Sequence, residues 1–227
     1  MISKEVYIDL NVTLSYKSTL ILQSVSVIGN FLADSAEPVQ MKKEGDRWQS
    51  EFDLPPGEHL YKFLLNQELP IFDPSNNLFE QDSEGELWSL IIIDDDWQRL
   101  LSYERYHMNL FSYQLSLGED RKRIRGYCEV TPLQIGVTIG CNEITGVHVI
   151  TAAWYSPNET LFEYSENIVC AEGDESVYAR FWIEHKRAYT QFPSGQWKLK
   201  LFVNGVLVIE DSFSVISDGI LYSQGKD

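Results

Sequence analysis

The stretch DLPPGEHLYKFLLNQELPIFDPSNN, residues 53–77, combines a Pro-Pro-Gly turn, an alternating aromatic strand and an Asp-Pro stop. Pro presets the backbone angle φ and Gly accepts positive φ, so the Pro-Pro-Gly triplet predicts a chain reversal. Because side chains alternate between the two faces of a strand, Tyr61, Phe63 and Leu65 share one face. Lys62 then lies on the opposite face. We therefore expect a strand with one buried aromatic face, bounded by turns.

The same pattern runs through all 227 residues. Short stretches rich in β-branched and aromatic residues alternate with Gly, Pro, Asn and Asp, which is typical of β-strands and their turns. Asn204-Gly205 predicts a two-residue hairpin because both residues accept positive φ. The length fits two domains of roughly 100 to 150 residues each. The sequence therefore predicts an all-β protein of two immunoglobulin-like β-sandwich domains.

Residues 94–108, DDDWQRLLSYERYHM, differ from their surroundings. The aspartates Asp94 to Asp96 are suited to capping the start of a helix, where free N–H groups favour acidic side chains. We predict a short linker with a helical turn over 94–108. The amino-terminal domain is then 1–93 and the carboxy-terminal domain 109–227.

The chain is strongly acidic, with a formal net charge of −16. Residues 1–104 hold 7 Lys and Arg against 19 Asp and Glu, and residues 105–227 hold 11 against 15. Such a surface repels phosphate backbones and anionic lipid, so we expect neither a nucleic-acid nor a membrane partner. An acidic amino-terminal half instead favours a basic surface on a protein partner.

Residues with catalytic or metal-binding chemistry do not form a recognisable motif. The four histidines are scattered, and no nucleotide-binding or hydrolase signature is present, so we expect no metal, no cofactor and no enzyme activity. Cys128, Cys141 and Cys170 lack paired spacing and are expected to be buried free thiols. No apolar run has the length of a signal peptide or a membrane span, which predicts a cytoplasmic protein.

Four segments of the first half carry a further pattern: VSVIGNF (25–31), EGDRWQSEFDLPPGEHLYKFLLN (44–66), FDP (72–74) and EGELWSLIII (84–93). In this order they resemble the glycogen-binding domain of AMP-activated kinase β-subunits, a module that also precedes the catalytic barrels of branching enzymes and isoamylases. The resemblance covers about residues 20 to 93. It implies an immunoglobulin-like sandwich of the E-set type, with α-glucan as the ligand.

The sugar-stacking rings that the resemblance implies are missing from this sequence. In the family, one tryptophan closely follows the Gly-x-Phe motif, but GNFLADSAEP (29–38) contains none. A second tryptophan follows the next turn, where this chain has Leu69 and Pro70. Loss of an aromatic platform typically removes about 1 kcal/mol or more of binding energy. We therefore expect glucan binding to be weak or absent.

The remaining positions of the implied sugar site are partly retained. Lys62 matches the lysine of the family motif, whereas Trp88 and Ser89 replace an Asn pair on the last strand. Any glucan binding that survives would use Lys62 and Trp88, with Asn66 and Gln67 as polar neighbours. The alternative is that Trp88 packs against the linker or the second domain.

The second half resembles the bacterial immunoglobulin-like modules that end in a Pro-x-Gly-x-Trp strand and an Asn-Gly hairpin. The segments that carry this likeness are VHVITAAWYSPNETLFEYSENIV (147–169) and ARFWIEHKRAYTQFPSGQWKLKLFVNGVLVIEDSFSV (179–215). The likeness implies a fold with no common chemistry. We expect Trp154, Trp182 and Trp197 to lie in the core.

Taken together, these features predict a non-catalytic binding or scaffold protein that acts through a protein partner whose identity the sequence leaves open. The alternative is a weak α-glucan-binding module, or an accessory subunit of a separately encoded glucan-metabolising enzyme.

Overall fold

The computed structural model describes residues 10–32, 37–102, 106–117, 122–123, 134–171, 175–184, 192–215 and 221–223. Within these ranges every regular element is a β-strand, which confirms the all-β prediction. The chain divides into two compact units, residues 1–103 and 104–227.

The described residues of the first unit form ten strands: β1 (Leu10–Lys17), β2 (Val25–Gly29), β3 (Val39–Gln40), β4 (Lys42–Glu44), β5 (Arg47–Leu54), β6 (Gly57–Leu65), β7 (Leu69–Ile71), β8 (Phe79–Gln81), β9 (Leu87–Ile93) and β10 (Arg99–Leu100). One sheet has the order β1-β5-β4. The other has the order β10-β9-β6-β2-β3, with β7 paired to β6 and β8 paired to β9. All pairs are antiparallel.

Strand β6 supplies the centre of the first core. Tyr61, Phe63 and Leu65 are buried, as the alternation of the sequence predicts. Val12 and Tyr16 of β1 are buried opposite them, and the ring centroids of Tyr16 and Phe63 are 5.2 Å apart. The core therefore lies between the two sheets, with aromatic side chains of β1 and β6 in contact across it.

A polar network holds the FDPSNN loop against this core. Asp73 is buried, and its carboxylate accepts hydrogen bonds from the Tyr61 hydroxyl (2.7 Å) and from the backbone N–H (2.8 Å) and hydroxyl (2.6 Å) of Ser75. The backbone N–H of Asp73 in turn donates to the Ser89 hydroxyl (3.1 Å). Asn76 donates to the carbonyl of Leu90 on β9 (2.8 Å). Burial, followed by the charge of Asp73, raises the pKa of Tyr61 well above its ordinary value, so the phenol remains a donor.

The helical turn predicted within residues 94–108 is wrong for the described part of that segment, and residues 103–105 lie outside it. The chain instead turns from β9 directly into β10. The Trp97 N–H donates to the Asp94 carbonyl (3.0 Å), and the Asp94 carboxylate accepts from the Gln98 N–H (2.8 Å). Trp97 adopts φ of 59°, which an α-helix excludes. The aspartate satisfies free N–H groups of a tight turn as readily as those of a helix start.

In the part of the second unit that the structure describes there are nine strands: β11 (His107–Leu117), β12 (Lys122–Arg123), β13 (Gln134–Thr145), β14 (His148–Tyr155), β15 (Leu161–Val169), β16 (Val177–Glu184), β17 (Gly195–Val203), β18 (Val206–Val215) and β19 (Leu221–Ser223). One sheet has the order β12-β11-β13-β16, and the other has the order β15-β14-β17-β18-β19.

The second core also lies between two sheets. Its buried cluster includes Ile139 of β13 and Phe181 of β16 from one sheet, with Trp154 of β14 and Trp197 of β17 from the other. Asn204 and Gly205 connect β17 to β18 with φ of 47° and 79°, the positive angles of a type I′ turn. The hairpin predicted from this dipeptide is therefore present. Both units fit the expected β-sandwich class.

The Tyr61–Asp73 contact gives a stability prediction. We expect Tyr61→Phe to lower the free energy of unfolding by about 1 to 3 kcal/mol, because a buried carboxylate then loses a donor. Asp73→Ala should cost more, because three donors lose their acceptor. Urea denaturation of both single variants and the double variant would measure the coupling between the two residues.

The control is Tyr178→Phe, which removes a phenol hydroxyl from an exposed ring. It should change the free energy of unfolding by no more than about 0.5 kcal/mol. Additive effects of Tyr61→Phe and Asp73→Ala in the double variant would show that the buried hydrogen bond does not couple them.

Candidate functional site

Lys62 lies on the face of β6 opposite the aromatic core. The register pairs Ile28 of β2 with Lys62, and on the other edge β6 is paired to β9 up to Tyr61 and Ser89 and to β7 from Phe63 onwards. Lys62 is therefore at the point where β6 changes its partner from β9 to β7. The outward-facing residues of this region form what we call the outer face: Ser26, Ile28, Glu58, Leu60, Lys62, Leu64, Trp88, Leu90 and Ile92.

The ammonium group of Lys62 lies between two aromatic rings. Its Nζ is 4.8 Å from the ring centroid of Phe72 and 5.3 Å from that of Trp88. Both distances are within the range of a cation–π interaction. Only 2% of Lys62 is exposed, and Phe72 is fully buried. The cation is therefore covered by the protein's own rings.

Hydrogen bonds and ring contacts hold both covering rings in place. The Trp88 indole N–H donates to the Asp82 carboxylate (2.8 Å), within the hairpin between β8 and β9. Phe72 precedes Asp73, whose buried network fixes the loop, and its ring meets Phe79 edge-on at 5.3 Å. Trp88 is half-buried, so part of its indole remains accessible. A ligand approaching this face would meet Trp88 rather than the lysine.

The other positions that the family resemblance implies have structural roles. Leu69 of β7, where a stacking ring is expected, is 1% exposed and belongs to the core. Ser89 faces the core and accepts the hydrogen bond from the Asp73 backbone. Neither side chain is available to a sugar. Pro70 is half-buried opposite Leu64.

Asn66 and Gln67 form the turn between β6 and β7. Their φ values are 51° and 62°, and the Glu68 N–H donates to the Leu65 carbonyl (3.0 Å). The Asn66 side-chain oxygen accepts from the backbone N–H of Gln23 (2.8 Å), so it ties the turn to the segment before β2. At about 3.3 Å per residue, this turn lies roughly 13 Å along β6 from Lys62. The structure brings Lys62 and Trp88 together but leaves Asn66 and Gln67 apart from them.

Two side chains that the sequence assigns to the interior are exposed. Trp182 of β16 is 51% exposed, which corrects its assignment to the core, whereas Trp154 and Trp197 are fully buried. Cys170 is exposed, while Cys141 is buried and burial raises the pKa of its thiol. Cys128 lies outside the described residues. The expectation for Trp182 is wrong because alternation does not reveal which face of a strand is covered.

In the described ranges, no three His, Cys, Asp or Glu side chains lie close enough to hold a metal ion. Nor does any helix in those ranges have the length and apolar character needed to cross a membrane.

Comparison with known proteins gives matches among solved structures alone. No protein-family profile and no curated protein matches the sequence. Among solved structures, the chain is similar to a maltogenic amylase from S. marinus, with 13% sequence identity and a TM-score of 0.32. The likeness covers 93% of this chain and 27% of the amylase chain, so this chain spans about a quarter of that protein's length. At this TM-score the likeness carries no argument about fold or activity.

Proposed function

We propose that this chain is a cytoplasmic, non-catalytic binding protein that acts through a protein partner. Its amino-terminal unit is a relative of glycogen-binding domains in which the sugar site has closed. The observation that carries the proposal is the burial of Lys62 between Phe72 and Trp88. A lysine that contacts sugar hydroxyls must reach solvent, and here the same group is held under two rings.

The composition of the outer face supports a protein partner. Leu60, Leu64 and Ile92 are half-buried there, which leaves aliphatic surface between the strands. Glu58 is paired with Ile92, and Glu80 with Trp88, so exposed carboxylates flank the aliphatic residues. An apolar centre with a charged rim is the anatomy of a protein interface. The negative charge of this rim favours a basic surface on the partner.

The free thiol of Cys170 supports the proposed cytoplasmic location. Cys170 is an exposed free thiol. Such thiols persist in reducing compartments, whereas oxidising ones favour disulfides.

Weak α-glucan binding is the second candidate, and one observation favours it. Trp88 keeps part of its indole accessible on the same face as Lys62, which leaves one ring for a sugar to stack on. A single partly covered ring supplies only a fraction of the energy of two open platforms. We therefore rank this candidate below protein binding.

Trp88→Ala tests the second candidate directly. We expect the wild-type chain and the variant to migrate equally in native gels containing glycogen, because the outer face makes no sugar contact. Titration with maltoheptaose should likewise give the same fluorescence response in both proteins. Retardation by glycogen that disappears in Trp88→Ala would instead establish glucan binding at this face.

A photo-crosslinking residue at position 60, in place of Leu60, tests the protein partner. In a native lysate we expect a discrete crosslinked product that weakens several-fold in the double variant Glu58→Lys, Glu80→Lys, because the acidic rim attracts the partner. The same crosslinker in place of exposed Lys42, on the other sheet, should give no such product. Equal products from both positions, or none from position 60, would contradict the proposal.

A further inference from the structure

Strand β16 of the second unit ends its sheet with an open edge. Among the described residues, β16 is paired with β13 alone, in the sheet order β12-β11-β13-β16. The pairing with β13 runs through all 8 residues of β16 without a register shift. The backbone N–H and C=O groups on the open side of such a strand are a template for pairing with a further strand.

The sequence of β16, VYARFWIE, lacks the features that commonly protect an edge. Natural edges are blocked by Pro or Lys, by a β-bulge, or by a charged side chain that points into the core. β16 contains neither Pro nor Lys, and its pairing with β13 has no bulge. Its inward residues Ala179, Phe181 and Ile183 are apolar and buried. The edge is therefore regular and long enough to accept another strand.

Three other long strands of the second unit with an open edge in the described ranges each carry a protecting feature. β15 ends its sheet, but its register against β14 shifts after Trp154, and Glu163 shares the inward face of Trp154. β18 is paired with β19 at one end only, but its register against β17 shifts after Leu201, and Asp211 shares the inward face of Leu199. β11 is paired with β12 at one end only, and its register has two shifts.

The outward residues of β16 are arranged for pairing with a copy of the same strand. Arg180, Trp182 and Glu184 alternate along one face, and all three are exposed. In an antiparallel pair with Trp182 opposite Trp182 of a second copy, Arg180 lies opposite Glu184 of that copy, and Glu184 lies opposite its Arg180. Opposite charges directly across such a pair stabilise it, whereas like charges destabilise it. This register therefore gives two ion pairs beside one pair of indole rings.

Other registers of the same two strands lose this complementarity. A pair centred on Arg180 would bring two arginines together, and a pair centred on Glu184 would bring two carboxylates together. A pair centred on Phe181 or Ile183 would not place Arg180 against Glu184. The register centred on Trp182 also places Phe181 opposite Ile183 of the second copy, so the apolar inward residues of the two strands adjoin as well.

The charges around β16 allow the two copies to approach. The Glu184 carboxylate accepts a hydrogen bond from Gln134 of β13 (2.7 Å) and retains acceptor capacity for an arginine. The formal net charge of −16 on each copy is repulsive, but physiological ionic strength screens exposed charges beyond about 8 Å. Residues directly opposite each other across a strand pair are closer than that, because their Cβ atoms lie about 5 Å apart.

We propose that β16 pairs antiparallel with β16 of a second copy of this chain, with Trp182 at the two-fold axis and Arg180 paired with Glu184 of the other copy. The two four-stranded sheets then join into one continuous sheet. A symmetric contact of this kind closes on itself and gives a dimer rather than a filament. It uses a strand of the second unit and does not depend on the protein partner proposed for the outer face of the first unit.

Charge reversal tests the contact and its register together. In sedimentation velocity we expect the wild-type chain to be a dimer. Arg180→Glu and Glu184→Arg should each weaken dimerisation about tenfold or more, because each variant creates two opposed pairs of like charge. An equimolar mixture of the two variants should form a heterodimer, since every opposed pair then has opposite signs. Lys17→Glu, a charge reversal on the edge strand β1 of the first unit, is the control and should leave the mass unchanged.

Disulfide crosslinking tests the position of the two-fold axis. In a Cys170→Ser background, Trp182→Cys should give a covalent dimer on mild oxidation. Directly opposed residues have Cα atoms about 4.5 to 5.5 Å apart, which is within the range of a disulfide. Tyr178→Cys is the matched control on the same face, because its two copies would be offset by roughly eight residues, or about 26 Å. It should remain uncrosslinked, as should the background variant.

Three results would overturn the proposal. The first is a wild-type chain that stays monomeric up to about 100 μM, where even a weak dimer would be populated. The second is a mixture of Arg180→Glu and Glu184→Arg that is no more dimeric than either variant alone. The third is equal crosslinking of Trp182→Cys and Tyr178→Cys. Because all the substituted side chains of β16 are exposed, each variant should keep the circular dichroism spectrum of the wild type.

Discussion

The ammonium group of Lys62 beneath the rings of Phe72 and Trp88 is the contact on which the account of the first unit depends. Withdrawing a charge from water is costly, and two ring faces return on the order of 2 kcal/mol or more when the contact is desolvated. The arrangement requires the loop after β7 to be held in place. Tyr61, adjacent to Lys62 but on the opposite face, provides this through its hydrogen bond to Asp73. One strand thus contributes Tyr61 to the core and, with the next residue, a lysine that is buried on the opposite face.

Several features of the fold are predictable because they depend on local chemistry. The alternation of Tyr61, Phe63 and Leu65 specifies a buried strand face, and the positive φ angles of Asn204 and Gly205 specify a hairpin. Local chemistry gives a wrong prediction where two different backbone structures can satisfy the same hydrogen-bonding groups. The carboxylate of Asp94 suits a helix start, but the structure uses it in a tight turn.

The candidate sites depend on tertiary contacts that no local pattern reveals. Motif comparison identifies Lys62 and Trp88, but the cover over the lysine depends on where β6 changes partner and on the loop that places Phe72. The exposure of Trp182 is likewise not revealed by any local pattern. Alternation groups it with Tyr178, yet only the packed sheet shows that this group faces outward.

Chemical labelling of Lys62 is the most direct measurement of whether its ammonium group is covered. The native protein would be treated briefly with an amine-acetylating reagent, and the modification of each lysine would be quantified by mass spectrometry. Because Lys62 is buried, we expect it to be modified far more slowly than the exposed Lys42, and unfolding in urea should remove the difference. Equal modification of Lys62 and Lys42 in the native protein would show that the ammonium group reaches solvent and would contradict the account.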